Sequence, residues 1–218
     1  MKQKFVQHLH LPKRNWLGNA MLVAGLSVAS LMVFGAERTV VRALEATPLP
    51  EIATGATWQG ASFPVENFQG YTSPFGYRSS PYGGVTQEFH RGLDLAAPEG
   101  SYVRNWWAGT VVEVSDDSAC GTSVVIQSGN WEHVYCHMQG HVESADGKRY
   151  MSDRAGGLQI WEGQTISAGS RIGRVGMTGR TTGPHLHWGL KYNGQLVNPA
   201  LVLRAMYAEQ VASRPNIR

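Results

Sequence analysis

The amino-acid sequence predicts an all-β domain, and three observations support this fold class. Glycine and proline are plentiful, with 26 and 10 copies among 218 residues, and the glycines cluster with β-branched and aromatic residues. From Tyr71 onward, short apolar runs are separated by glycine. The segments 122–127 and 132–137 flank a turn around residues 128–130, as the arms of a β-hairpin do. This composition favours short strands joined by tight turns over helices.

The predicted domain covers residues 71–203, a length that allows one domain with a real core. Residues 139–160 are polar and glycine-rich, so we expect an excursion loop over one end of the sheet. Beyond Pro199 the pattern predicts a short helix over 200–210 followed by a frayed basic tail, and residues 204–218 are assigned to the C-terminal tail. The remaining expected strand and turn segments are 75–84, 89–100, 109–114 and 163–179, the last leading to a strand through 185–187.

The sequence pattern of the N-terminal segment, residues 1–36, predicts a membrane anchor. Four cationic residues precede an apolar run from Trp16 to Ala36, which is long enough to span a bilayer as a helix. The charges just after the run sum to zero, so the positive-inside rule places the N-terminus in the cytoplasm and the rest outside it. A cleaved signal peptide is the alternative, although Phe34 is bulky where a small residue is preferred before a cleavage site. Residues 37–70, with Pro48, Pro50 and Pro64, predict a linker.

The distribution of charge argues against a nucleic-acid-binding protein. Although the isoelectric point is near 9.0, residues 71–203 contain ten Lys/Arg and eleven Asp/Glu. The basic excess lies at the two ends of the chain and not on the predicted domain. We therefore expect no nucleic-acid partner.

A metal site is the main functional prediction from the residues. On a strand, His185 and His187 point to the same face. His90 and Asp94 stand four residues apart, about 13 Å in a straight strand, and Gly92 between them supplies a bend. Together, His90, Asp94 and His187 provide two imidazoles and a carboxylate, the ligand mixture of a catalytic zinc site with one open position. With two cysteines and no HExxH helix, a four-cysteine site and a thermolysin-like site are excluded.

The two cysteines, Cys120 and Cys136, lie on or beside the arms of the predicted hairpin. An exported compartment permits a disulfide between them, which in the chain-entropy model would add about 3 kcal/mol for a loop of about 15 residues. The alternative is that Cys136 binds the metal. A regular strand argues against that role, since Cys136 then faces away from its neighbour His137. His133 shares a strand face with His137 and is a further candidate for the lining of a groove.

Five segments resemble the lysostaphin/LytM-type zinc endopeptidases that cut peptidoglycan, over about residues 71–203. The segments are FGYRSSPYGG, FHRGLDLAAPEG, YCHM, IGRVGMTGRTTGPHLHWGL and NGQLVNP. The resemblance implies that His90, Asp94 and His187 hold one zinc ion, with His185 and His137 as catalytic histidines beside the metal-bound water. It also implies a compact antiparallel β fold with a substrate groove, a peptidoglycan peptide as substrate and an exported location, here anchored to the cell membrane.

The departures from the family pattern are Met138, Trp188 and the length of the 139–160 segment, and none removes a ligand. The long segment puts the substrate in question, since it could reshape a groove wall. Two alternatives therefore stay open at this point. One is a non-catalytic module that binds the cell wall or activates another hydrolase. The other is a protease that acts on exported proteins, because fold and site alone do not decide the substrate.

Overall fold

The computed structural model describes residues 58–83 and 85–213. The predicted membrane anchor, the linker up to residue 57 and the last five residues of the predicted tail lie outside the described residues. Among the residues that are described, no helix has both the length and the apolar character needed to cross a membrane.

The domain is built from antiparallel strands, which confirms the predicted all-β class. The part of the chain that the structure describes has fifteen strands: β1 (Gly70–Ser73), β2 (Gly76–Ser79), β3 (Gln87–His90), β4 (Gly92–Ala96), β5 (Tyr102–Arg104), β6 (Gly109–Ser115), β7 (Thr122–Ser128), β8 (Trp131–Met138), β9 (His141–Ala145), β10 (Lys148–Asp153), β11 (Leu158–Trp161), β12 (Thr165–Ile166), β13 (Arg171–Arg174), β14 (His185–Tyr192) and β15 (Gln195–Val197). The main sheet has the order β1-β4-β14-β8-β7-β6-β12, with β15 paired to β14. Two-stranded sheets are formed by β2 with β3 and by β5 with β13.

The hairpin of β7 and β8 forms where the sequence predicts it. Ser128 pairs with Trp131, and Gly129 takes a positive φ of 57° in the turn between them. Glycine adopts this left-handed conformation without steric cost. Tyr135 of β8 and Trp188 of the neighbouring β14 are opposite each other and fully buried, so the alternate residues of both strands form the core face of the sheet.

Residues 58–70, which the sequence assigned to the linker, are part of the folded domain. Trp58 is only 5% exposed and opens a 3₁₀ helix, Trp58–Gly60. Its ring packs against the rings of Trp106, Trp107 and Trp131 at centroid distances of 5.1, 5.9 and 5.6 Å. Val65 bridges to β5. The sequence lacked a periodic signal here because one large aromatic residue, not a regular strand, supplies most of the packing.

Residues 139–160 form a three-stranded sheet of β9, β10 and β11, not the excursion loop that the sequence predicted. Met151 and Ile160 of this sheet are buried in the core. Asp153, also buried, makes two hydrogen bonds of 2.7 Å with the guanidinium of Arg174. The polar composition of the segment reflects its exposed face, while these three side chains attach its other face to the domain.

The C-terminal segment forms the helix α1 (Pro199–Ala212). Asn198 caps its first turn, where its side chain accepts a hydrogen bond from the Ala200 amide at 3.0 Å, and Pro199 is favoured at such a position. Met206 is buried, and Gln210 donates hydrogen bonds to the carbonyls of Trp58 and Ala61. The helix is thus longer than predicted and includes residues 204–212 of the expected tail.

Candidate metal and catalytic site

Two adjacent strands of the main sheet and the end of a third strand bring the predicted metal ligands together. His187 of β14 is the register partner of Asp94 of β4. His90 ends β3, which belongs to a separate two-stranded sheet, so the chain changes direction at Arg91 before β4 begins. This change of direction brings His90 Nε2 to 3.0 Å from Asp94 Oδ1. The bend that the sequence required between these residues is therefore present.

Gly92 has a different role from the one that the sequence suggested. Its φ is not positive, so the bend does not depend on the conformational freedom of glycine. Instead, the imidazole of His187 lies directly over it. A Cβ at this position would be 2.7 Å from Cε1 and Nε2 of His187 and 2.7 Å from the Trp188 carbonyl oxygen. The missing side chain therefore makes room for a metal-ligand candidate.

Three acceptor atoms form a nearly equilateral triangle at this site. His187 Nδ1 lies 2.9 Å from Asp94 Oδ1 and 2.9 Å from His90 Nε2, while His90 Nε2 lies 3.0 Å from Asp94 Oδ1. The Nδ1–H of His90 donates to the Pro74 carbonyl at 2.7 Å, which leaves a lone pair on Nε2. Tetrahedral zinc with ligands at 2.0–2.1 Å separates them by about 3.3 Å. Lone pairs and a carboxylate that converge in this way fit a bound cation.

Asp94 stays ionised at this site. Burial acts to raise the pKa of its carboxyl, but the close contacts with the imidazoles of His185, His187 and His90 outweigh burial and hold the pKa well below the ordinary value. Its other oxygen, Oδ2, accepts a hydrogen bond from Arg78 at 3.2 Å. This contact orients the carboxylate so that Oδ1 faces the two imidazoles.

Arg78 was not singled out from the sequence, because nothing in its segment indicated that β2 would face β4. The guanidinium also binds Glu88 of β3 at 2.9 Å. It therefore ties the β2–β3 hairpin to Asp94. A lone arginine in a polar segment gives no pattern from which this role could be predicted.

The two predicted catalytic histidines, His185 and His137, lie beside the triangle. Their ring centroids are 5.0 Å apart. The Nδ1–H of His185 donates to the Gly183 carbonyl at 2.8 Å, and that of His137 donates to the Thr178 carbonyl at 2.9 Å. In both rings, Nε2 is thus the nitrogen that is available to a molecule bound in the groove. His185 Nε2 lies 3.5 Å from Asp94 Oδ1.

The surroundings move the pKa values of the two histidines apart. Burial lowers the pKa of His137 to about 4, only partly offset by its hydrogen bond to Thr178. Burial also acts to lower the pKa of His185, but the hydrogen bond and charge of Asp94 prevail and raise it. Such a pair, with one ring neutral and the other inclined to hold a proton, is suited to general acid–base chemistry.

The backbone at His137 corrects two predictions about the faces of β8. His137 has a positive φ of 61°, and the register of β7 and β8 shifts between Thr122 and Val124. Strand alternation therefore fails at this point, and both Cys136 and His137 line the groove. The expectation that these neighbours face opposite sides is wrong.

His133 does not line the groove, because regular alternation upstream of the irregularity turns it towards the core. It is fully buried and hydrogen-bonded to Ser128 Oγ at 2.7 Å and to the Tyr135 hydroxyl at 2.8 Å. Burial lowers its pKa to about 3. His133 is a neutral core residue.

A groove of about 740 Å³ contains the site. One wall is the β2–β3 hairpin, and the other includes residues 119–120 and 180–182. Arg180 connects these segments, with an ion pair of 2.9 Å to Glu88 and its guanidinium 4.4 Å from the centre of the Tyr82 ring. None of residues 139–160 is among the described residues that line the groove.

A disulfide joins Cys120 and Cys136, as the sequence permitted. Their α-carbons are 4.9 Å apart, and both residues line the groove. Cys136 is therefore bonded to sulfur and is not a metal ligand in this structure.

The model of peptidase family M23 matches residues 88–199, which include the triangle and both catalytic candidates. The chain belongs to this family. The match confirms the resemblance that the sequence motifs indicated.

Relatives of this M23 chain come from several bacteria. It is 36% identical over 132 residues to the DD-carboxypeptidase/endopeptidase Mpg of Neisseria meningitidis, covering 60% of this chain and 26% of the relative. It is 37% identical over 109 residues to the peptidoglycan DD-endopeptidase ShyA of Vibrio cholerae, covering 50% of this chain and 22% of the relative. The chain thus spans about a quarter of the length of these relatives.

Among solved structures, the chain resembles a zinc-containing peptidase from Vibrio cholerae. The TM-score is 0.50 and the sequence identity 27%, over 66% of this chain and 38% of that one. The likeness supports the all-β architecture described above.

Proposed function

We propose that this protein is a zinc-dependent endopeptidase that hydrolyses peptide bonds in peptidoglycan. The observation that carries the proposal is the triangle of His90 Nε2, Asp94 Oδ1 and His187 Nδ1, three acceptor atoms that converge at 2.9–3.0 Å in an open groove. Two more histidines direct their Nε2 atoms to the same space.

Zinc is the metal that this donor set favours. Two imidazole nitrogens and one carboxylate oxygen are typical of catalytic zinc, whereas an oxygen-rich set would suit magnesium or calcium. His90, Asp94 and His187 would hold one ion. When bound, zinc acts as a Lewis acid that polarises a peptide carbonyl and lowers the pKa of a water molecule at its open position.

His185 and His137 handle protons in this proposal. Their Nδ1–H groups are engaged by the Gly183 and Thr178 carbonyls, which fixes the tautomer and leaves Nε2 as the acceptor. One Nε2 accepts the proton of the attacking water, and the other donates a proton to the departing amine. The opposite pKa shifts of the two rings support this division of labour.

Peptidoglycan peptides are the proposed substrate class. The relatives Mpg and ShyA are named as a DD-carboxypeptidase/endopeptidase and a peptidoglycan DD-endopeptidase, and the chain is 36% and 37% identical to them over 132 and 109 residues. A groove between two polar walls accommodates an extended peptide. We also propose that the protein acts outside the cytoplasm, anchored by residues 1–36. The charge pattern around the apolar run and the presence of a disulfide support export.

The test is digestion of purified peptidoglycan by the full-length, zinc-loaded protein, with identification of the released fragments by mass spectrometry. We expect new amino and carboxyl termini at one type of peptide bond, loss of release with a zinc chelator and recovery on addition of zinc. Binding to peptidoglycan without release, insensitive to the chelator, would instead identify a wall-binding module. Cleavage of exported proteins but not of peptidoglycan would identify a protease and overturn the proposed substrate.

A further inference from the structure

The Cys120–Cys136 disulfide lies on the groove wall directly beside His137. Cys136 is the β8 neighbour of His137 and the register partner of His187. Cys120 belongs to the segment between β6 and β7, residues 116–121. The disulfide is thus a covalent link between that segment and the strand that carries a proposed catalytic histidine.

His137 is attached to the same segment by its own backbone. Its amide donates to the Cys120 carbonyl at 2.8 Å, a contact that replaces the regular strand pairing where its φ becomes positive. A non-glycine residue in the left-handed region is strained, so its conformation depends on the contacts that surround it. The disulfide holds Cys136, the residue before His137, against Cys120, and the hydrogen bond holds the His137 amide against the same residue. Together they stabilise the positive φ of His137.

The segment also supports the carbonyl that sets the tautomer of His137. The Arg180 amide donates to the Ala119 carbonyl at 2.8 Å, and the Thr122 amide donates to Thr178 Oγ1 at 2.8 Å. Gly121 and Gly179 pack backbone to backbone, so closely that a Cβ on either would collide with the other segment. The Thr178 carbonyl, which accepts from His137 Nδ1, is therefore held in place by residues 119–122.

Apart from the pairing of His187 with Cys136, the metal-ligand candidates have supports of their own. Asp94 and His187 are fixed by the pairing of β4 with β14, and His90 by the Pro74 carbonyl. Neither attachment involves the segment of Cys120. A change in that segment should thus affect His137 more than the metal.

We propose that the Cys120–Cys136 disulfide is a positioning device for His137, so that turnover depends on its oxidation. This inference rests on the proposed function, because it assigns the disulfide to the proton-transfer step of that reaction. With the bridge intact, residues 119–122 hold the Thr178 carbonyl and the ring of His137 in place. Without it, the strained backbone at His137 relaxes, and the ring loses its fixed tautomer while zinc remains bound.

The bridge is open to a reductant, since Cys120 is partly exposed at the groove. A phosphine reductant takes the oxygen of one water molecule and becomes its phosphine oxide, as the disulfide accepts two electrons and two protons to give two thiols. The protein itself needs no further reactant for this change.

The test compares the full-length, zinc-loaded protein with the double variant Cys120→Ala/Cys136→Ala. We expect one equivalent of zinc in both, a KM within about twofold, and a kcat between about tenfold and a hundredfold lower in the variant, as a misplaced catalytic group produces. The same loss should follow treatment of the wild-type protein with a phosphine, which should not affect the double variant further. An unchanged kcat, or loss of zinc in step with kcat, would overturn the proposal.

A matched control separates positioning from loss of stability. The variant Trp58→Ala weakens the core away from the groove, and we expect it to lower the melting temperature while kcat of the folded protein is retained. A parallel fall in kcat in this control would show that the disulfide acts only through stability.

A second readout does not depend on activity. Nitrogen-15 NMR of the imidazoles in the zinc-loaded protein should report the Nδ1–H tautomer for His137 in the wild-type protein and a mixture of tautomers after reduction. If the wild-type protein digests no peptidoglycan, the proposed function fails but this measurement still decides the positioning role. The reduced wild-type protein also serves if the double variant does not fold. A single Nδ1–H tautomer in both oxidation states would contradict the inference.

Discussion

Replacement of Gly92 by alanine should disrupt the metal site through one added methyl group. The new Cβ would meet Cε1 and Nε2 of His187 and the carbonyl oxygen of Trp188, all at 2.7 Å, where unstrained carbon contacts are about 3.5–4.0 Å. An overlap of about 0.8 Å or more has to be relieved. The Trp188 carbonyl belongs to a central strand and has little room to move, so the imidazole of His187 turns away or β4 and β14 separate.

We expect Gly92→Ala to weaken zinc binding by about 10–100-fold, as the loss of ligand orientation does in other zinc sites. The strain should lower the free energy of unfolding by about 1–3 kcal/mol, the usual cost of overpacking. Competition with a chromogenic chelator measures the first quantity, and urea denaturation of the zinc-free protein measures the second.

Gly189→Ala is the matched control, because Gly189 is the register partner of Gly92 across the same pair of strands. Its nearest neighbours would be the Arg91 carbonyl oxygen and Val134 Cβ, both at 3.5 Å, an ordinary contact distance. This variant should bind zinc like the wild-type protein. Wild-type zinc affinity in Gly92→Ala, or equal losses in both variants, would refute the argument from steric overlap.

Three other predictions address the ligands, the core and the buried ion pair. Asp94→Ala should lose zinc in metal analysis. His185→Ala should retain zinc and lose turnover by about 10²–10⁴-fold, as removal of a general acid or base does. Equal zinc loss in both variants would contradict the assigned roles. Trp58→Ala should lower the free energy of unfolding by about 3–5 kcal/mol in chemical denaturation, because removal of a buried indole leaves a cavity. A decrease below about 1 kcal/mol, typical of a surface residue, would place Trp58 outside the core. Asp153→Asn should cost about 2 kcal/mol at pH 7, since it breaks a charged pair with Arg174. That pairing lowers the pKa of Asp153, so its contribution is present above about pH 4 and is lost as pH falls through the folded pKa. A difference between variant and wild type that does not shrink as the pH is lowered below about 4 would count against this account.

The agreement between sequence and structure is closest where a local pattern has one physical meaning. The spacing of His185 and His187 implies a shared strand face, and the structure has both on β14 facing the groove. The requirement for a bend between His90 and Asp94 follows from the length of an extended strand, and the chain turns at that point. The hairpin around Gly129 is likewise local, because a tight turn and its flanking residues are contiguous.

The disagreements occur where distant residues decide the local conformation. His137 takes a positive φ because its amide bonds to Cys120 and its ring to Thr178, so strand alternation no longer predicts its face. Trp58 joins the core because the rings of tryptophans far along the chain surround it. Such contacts leave no periodic signal in the sequence around either residue.

The sequence by itself determined the all-β class, the family resemblance and the three candidate ligands, because each depends on residue type and spacing along the chain. Tertiary structure alone decided that His90 Nε2, Asp94 Oδ1 and His187 Nδ1 meet within 3.0 Å, that Arg78 orients the carboxylate and that glycine is required at position 92. The reason is physical. A metal site is a set of distances between atoms on different strands, and only the packed sheet defines those distances.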